Sequence, residues 1–106
     1  VYSSADLKTW KNEGVALDAS TDQISWANGN LWAPAAVEVK QKNGSYKYYL
    51  YFSARPNDNG RKQMGVAVSD SPTGPFVDLG KPLLAKNHPG CHGQLIDVDV
   101  FIDPEQ

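Results

Sequence analysis

The sequence predicts an all-β protein built from short antiparallel strands, and three observations carry that prediction. Short runs rich in β-branched and aromatic residues are separated by glycine, proline and asparagine turns. One of those runs is aromatic or apolar on both of its sides. The chain also contains an internal repeat with an offset of 64 to 66 residues.

In chain order, Val1-Tyr2-Ser3-Ser4 reads as the middle of a strand. Val37-Glu38-Val39-Lys40 alternates strictly between apolar and charged residues, the pattern of a strand rather than a helix. Asn43-Gly44 then supplies the positive φ angles of a tight hairpin turn, so the next strand pairs antiparallel. That strand, Tyr46 to Ser53, carries aromatic residues on both faces, which predicts burial on both sides between neighbouring sheets. Asn57 to Arg61 is a polar loop, and Gln63 to Ser69 is a strand on which large apolar residues alternate with Gly65, Ala67 and Ser69, a face small enough for close sheet approach. Ser71 to Pro75 breaks the ladder, because two prolines and a glycine cannot continue it, and Phe76 to Leu79 resumes it as an edge strand.

Val1, Ser4, Trp10, Gly14 and Leu17 recur as Val66, Ser69, Phe76, Gly80 and Leu83, with one extra residue before the aromatic. Independently, Trp32-Ala33-Pro34-Ala35-Ala36-Val37 aligns with Ile96-Asp97-Val98-Asp99-Val100-Phe101 at an offset of 64. Two alignments thus agree on one period. A repeat of four antiparallel strands is the blade of a β-propeller, whose sheets bury their faces against one another around a central channel. The chain then supplies about one and a half four-stranded blades: the end of one over residues 1–20, a whole one over 31–86, and the start of a third over 95–106, where Val98 to Asp103 forms a new strand. Both ends read as cut within a blade.

The first strand of each blade lines the channel, so the repeat places Ala33 and Asp97 in equivalent slots at its mouth. One blade presents a methyl group there and the next a carboxylate. Trp32 precedes the slot and offers a flat apolar face on which a sugar ring can rest. Blade-to-blade packing explains Trp32 equally well, and a turn or capping role explains Asp97 from pattern alone.

Composition narrows the partners. Of the 106 residues, 21% are charged, the net charge is -2, and the two signs are interspersed, so nothing favours nucleic acid or an anionic membrane surface. No apolar stretch approaches the twenty or so residues needed to cross a bilayer. Cys91 is the only cysteine, which excludes an internal disulfide and a multi-thiolate zinc site and fits any compartment. His88-Pro89-Gly90-Cys91-His92 gathers three potential ligands in a loop of turn formers and lacks a fourth, so it reads as a solvated connection, and no metal site is assigned.

Ser4 to Trp10, Leu31-Trp32-Ala33-Pro34, Tyr48 to Ser53, Gly65 to Ser69, Pro72 to Phe76, and Ile96-Asp97 with Val100-Phe101-Ile102-Asp103 together resemble consecutive signatures of glycoside hydrolase family 43, in order along nearly the whole chain. The resemblance implies a five-bladed propeller acting on xylose- or arabinose-containing oligosaccharides and polysaccharides, as β-xylosidases, α-L-arabinofuranosidases and arabinanases do, usually by hydrolysis with inversion. It implies that Asp97 is the supporting aspartate that orients the proton donor and tunes its pKa, with Trp32 and Ala33 in the substrate subsite. It places the general base upstream of Val1 and the general acid downstream of Gln106, so Glu38, Asp99, Asp103 and Glu105 are not assigned those roles. Val98 departs from the family, which generally has proline there.

No cofactor is required by this resemblance, although some members hold a structural calcium or another ion in the channel. A secreted or periplasmic setting is favoured over a cytoplasmic one. The isolated chain is expected to be inactive, and to fold only with the rest of a propeller or by self-association, because one and a half blades leave edges and faces unpaired. The alternative class is a non-catalytic carbohydrate-binding or structural propeller fragment.

Overall fold

The structure, a computed structural model, describes residues 1–104. Glu105 lies outside the described residues. Six strands form: β1 (Tyr2–Ser3), β2 (Lys11–Asn12), β3 (Trp32–Lys40), β4 (Tyr46–Ala54), β5 (Gln63–Ser69) and β6 (Val77–Asp78). β1 and β2 make a two-stranded sheet, and the others form a four-stranded meander in the order β3-β4-β5-β6. Every pairing is antiparallel, and no helix occurs among the described residues.

The meander follows from the alternation that predicted it, with Leu50 at its centre paired to Ala36 on one side and Ala67 on the other. Two local expectations need correction. The β3–β4 connection spans residues 41–45 rather than a two-residue turn: Gly44 N–H donates to the Gln41 carbonyl at 3.0 Å, and Gln41 N–H to that of Ser45 at 2.8 Å. Only Gly44 has positive φ, at +87°. Asn43 contributes through its side chain, whose Oδ1 accepts from the Ser45 N–H and hydroxyl, an Asx turn that needs no left-handed residue.

β4 is not buried along its whole length. Phe52, Ser53 and Ala54 are buried, Tyr46 is exposed, and the residues between are half-covered. The covering comes from residues 16–27, which bring Leu17, Ile24 and Ala27 into one core with Phe52, Ala67 and Phe76. That segment buries the far end of β4 fully, while Tyr48 and Leu50 pack against that core only in part. Gly65 shows how tightly it packs: a Cβ there would lie 2.6 Å from both Phe52 and Trp26, whose rings stack with centroids 6.0 Å apart. The small-residue face of β5 thus admits the Trp26 indole.

The repeat recurs at the level of single hydrogen bonds. Tyr2 and Ser3 pair with Asn12 and Lys11 as Ala67 and Val68 pair with Asp78 and Val77. Glu13 N–H donates to the Val1 carbonyl at 2.9 Å, and Leu79 N–H to that of Val66 at 3.1 Å. Gly14 and Gly80, with φ of +98° and +82°, donate to the side chains of Asn12 and Asp78 at 2.9 and 2.7 Å. The extra residue of the second copy falls in the turn before Phe76, and the register is regained in β6.

The expected strand from Val98 to Asp103 does not form a ladder. A strand needs a neighbour, and no described segment pairs with this one.

Candidate functional site

The start of β3 is shaped by a bulge. Trp32 pairs with Ser53 and Ala35 with Tyr51, so Ala33 and Pro34 stand opposite Phe52 alone. Ala33 takes φ +43°, a left-handed conformation that L-residues other than glycine adopt at a cost. Pro34, which has no N–H to donate, fits such an interruption. A bulge re-aims the side chains beside it, and here it sits where the repeat analysis put the channel mouth.

Trp32 is 53% exposed. The Lys62 ammonium lies 5.0 Å from its ring centroid and donates to the Asn30 carbonyl at 2.5 Å. Lys62 itself is 8% exposed and has no carboxylate partner among the described residues. Burial, reinforced by the like charge of Arg55, pulls its pKa below the usual lysine value. Trp32 also borders an apolar cleft of 620 Å³ between β1 and β4, walled by Tyr2, Val15, Leu31, Leu50 and Phe52. Ala33 and Asp97 do not line it.

Asp97 also has positive φ, +59°, so the two slots matched by sequence share an uncommon backbone conformation. Its carboxylate is exposed and has no hydrogen-bond or ion-pair partner among the described residues. Four aspartates elsewhere in the chain do cap their own turns. Asp6, Asp18, Asp58 and Asp78 each accept from the N–H two residues on, at 2.7 to 2.9 Å. Those of Asp6, Asp18 and Asp58 are held below the ordinary carboxylate range by hydrogen bonds, led by the Thr9 N–H, the Ser20 hydroxyl and the Lys86 ammonium respectively. Asp97 makes no such cap among the described residues.

The approach to Asp97 runs past Lys62. Lys62 N–H donates to Gln94 Oε1 at 2.6 Å, and Leu95 N–H donates to the Lys62 carbonyl at 3.1 Å. Sequence reasoning passed over Lys62 and Gln94, because a lysine before a strand and a glutamine in a polar connection carry no pattern. Ser53 was passed over too; its hydroxyl, opposite Trp32, is buried without a partner among the described residues.

Glu38 lies opposite Tyr48 on an exposed position, and hydrogen bonding to Glu38 raises the phenol's pKa. Asp99 Oδ1 accepts from Val100 N–H at 2.8 Å.

Among the described residues, no three His, Cys, Asp or Glu side chains converge as metal ligands. His88 Nδ1 is engaged by the Pro89 carbonyl at 2.9 Å.

Residues 1–106 match the profile of glycosyl hydrolases family 43. The chain belongs to this family. It is 37% identical over 115 residues to the arabinoxylan arabinofuranohydrolase of Bacillus subtilis (strain 168), an alignment that covers 99% of this chain and 21% of that protein. Among solved structures, a thermostable family-43 glycoside hydrolase is similar with a TM-score of 0.75 and 33% identity, covering 98% of this chain and 30% of that one. A family 43 β-xylosidase/α-arabinofuranosidase from a compost microbial metagenome, crystallised with xylotriose, has a TM-score of 0.55 and 46% identity over 69% of this chain and 20% of its own. The chain thus spans about a fifth of the length of the relative from Bacillus subtilis. Its all-β meander is part of a family 43 propeller.

Proposed function

We propose that the protein to which this chain belongs is a glycoside hydrolase that cleaves xylose- or arabinose-containing oligosaccharides or polysaccharides with inversion. Residues 1–20 close one blade, 31–86 form the next, and 95–106 open a third. Trp32 and Ala33 belong to the subsite that holds the cleaved sugar, and Asp97 is the supporting acid. The observation that carries this reading is Asp97: a carboxylate without a local partner, at a left-handed position that repeats the backbone of Ala33.

Inverting hydrolysis uses one carboxylate to activate water and one carboxylic acid to protonate the leaving oxygen, about 6.5–9.5 Å apart. A third carboxylate near the acid raises that acid's pKa by like-charge repulsion, keeping it protonated at working pH. Asp97 would serve in this way, with the base and acid supplied by other parts of the propeller, so the chain by itself is expected to be inactive. Its exposure and lack of a cap leave its charge available for that purpose.

The test is Asp97→Asn in the full-length protein, with turnover of aryl xylosides and arabinosides measured. A fall of about a hundredfold or more in kcat is expected, the scale of acid–base catalysis. A fall of less than about tenfold would show that Asp97 has no such role. Binding of xylo- or arabino-oligosaccharides without any hydrolysis by the unaltered protein would favour a carbohydrate-binding propeller instead.

A further inference from the structure

The cleft, the exposed aromatic residues and the histidine loop either belong to the site already described or lack convergent ligands. The feature that remains is a buried lysine that no catalytic role uses. Lys62 sits just before β5, 8% exposed, with no carboxylate to neutralise it among the described residues. Burying an ammonium without a counter-charge is costly, so its place needs compensation from elsewhere. The compensation is visible: the Asn30 carbonyl at 2.5 Å and the Trp32 ring at 5.0 Å. Both partners flank the entry to β3. The main chain of the same residue accepts from Leu95 N–H and donates to Gln94 Oε1, holding the two residues that lead into Ile96-Asp97.

We propose that Lys62 is a positioning residue that fixes Trp32 and Asp97 relative to each other, its ammonium setting the sugar platform and its peptide group setting the approach to the supporting acid. The inference rests on the site reading given above. It follows from connectivity: β3 begins one slot, residues 94–97 lead to the other, and Lys62 is bonded to both. The ammonium also covers one face of the Trp32 indole, so a sugar ring that stacks on Trp32 uses the opposite face. The two halves of Lys62 act on different partners, and that makes the roles separable.

The experiment uses the full-length protein and an aryl pentoside. Lys62→Met keeps the apolar stem and removes the charge, while the main-chain hydrogen bonds of residue 62 to Gln94 and Leu95 remain. About a tenfold rise in KM with kcat held within about threefold is expected, from loss of the cation–π contact that orients the platform. Lys62→Arg keeps the charge and should bring KM back to within about threefold of wild type. Gln94→Leu removes the bond on the Asp97 side from a solvent-exposed position, and should lower kcat about tenfold with KM little changed. This split supports the proposal, and any other pattern overturns it, because a merely structural lysine would not divide KM from kcat. Should Lys62→Met fail to fold, wild-type kcat in Gln94→Leu would overturn it alone. Asp97→Asn separates the two ideas. If that variant keeps wild-type turnover, the site reading fails; if it is inactive while the Lys62 and Gln94 variants behave as wild type, only the positioning role fails.

Discussion

Ala33 and Asp97 occupy the same place in two successive repeats and share a left-handed backbone, yet they are held by different forces. Ala33 lies inside a bulge of a nine-residue strand, backed by the buried Phe52 and by a ladder to β4 that is regular from Ala35 onward. Asp97 lies in a segment without a ladder, and what fixes its approach is polar: Leu95 and Gln94 to Lys62, Lys86 N–H to Gln63 Oε1 at 3.0 Å, and the Arg61 guanidinium to the Lys86 carbonyl at 3.3 Å. Strain at an unusual φ persists only where the surroundings over-determine it. Apolar packing does this at the first slot and a set of polar contacts at the second. The backbone device was repeated while its support and its side chain diverged.

The largest stability effect should come from disturbing the packed side. Gly65 pairs with Phe52, and a Cβ there would meet both Phe52 and Trp26 at 2.6 Å. Gly65→Ala should therefore destabilise the protein by about 1–3 kcal/mol through overpacking, read from denaturant or thermal unfolding. Unchanged stability would mean that the Phe52 and Trp26 rings yield freely, and the bulge at Ala33 would then lose its claim to a rigid backing.

A smaller effect tests whether the two repeats are equivalent. Gly14 and Gly80 close matching turns at φ +98° and +82°, and a Cβ at either would meet nothing within 4 Å. With sterics removed, only the backbone cost of a left-handed L-residue remains, about 1–2 kcal/mol for each alanine substitution. The two losses should be of similar size. A clear inequality would mean that one turn is strained and the other loose, or that the carboxylate of Asp78 holds its turn more firmly than the amide of Asn12 holds the other.

Much of this is legible in the sequence. The meander, the edge strand after Pro75 and the repeat all follow from alternation, turn chemistry and spacing, because those patterns record which face meets a neighbour. The equivalence of Ala33 and Asp97 was also visible, though their shared positive φ was not, since neither alanine nor aspartate announces a left-handed residue as glycine does. Lys62 could not be read at all. Its significance depends on Asn30, Trp32 and Gln94 arriving from 32, 30 and 32 residues away, a convergence that local pattern does not encode. The strand expected at Val98 to Asp103 failed for the converse reason: its alternation is real, but a ladder also requires a partner, and none of the described segments supplies one.

The smallest effect probes the polar side. Asp58 accepts from the Lys86 ammonium and from Gly60 N–H, joining the loop after β4 to the connection that leads toward Asp97. The ammonium, followed by the Gly60 N–H, depresses the Asp58 pKa below its ordinary 3.8. For a carboxylate with a depressed folded-state pKa, the stabilisation is fully present above the unfolded value and disappears as pH falls through the folded one. Asp58→Asn retains an oxygen for the Gly60 N–H and loses only the charge. Wild type should therefore melt slightly above the variant at neutral pH, and the gap should close as pH drops below the ordinary carboxylate value. Raising salt at neutral pH should also narrow it, because the pair is exposed to solvent. A gap that ignored both pH and salt would mean that the connection is held by shape rather than charge, and the contrast between the two slots would lose its electrostatic half.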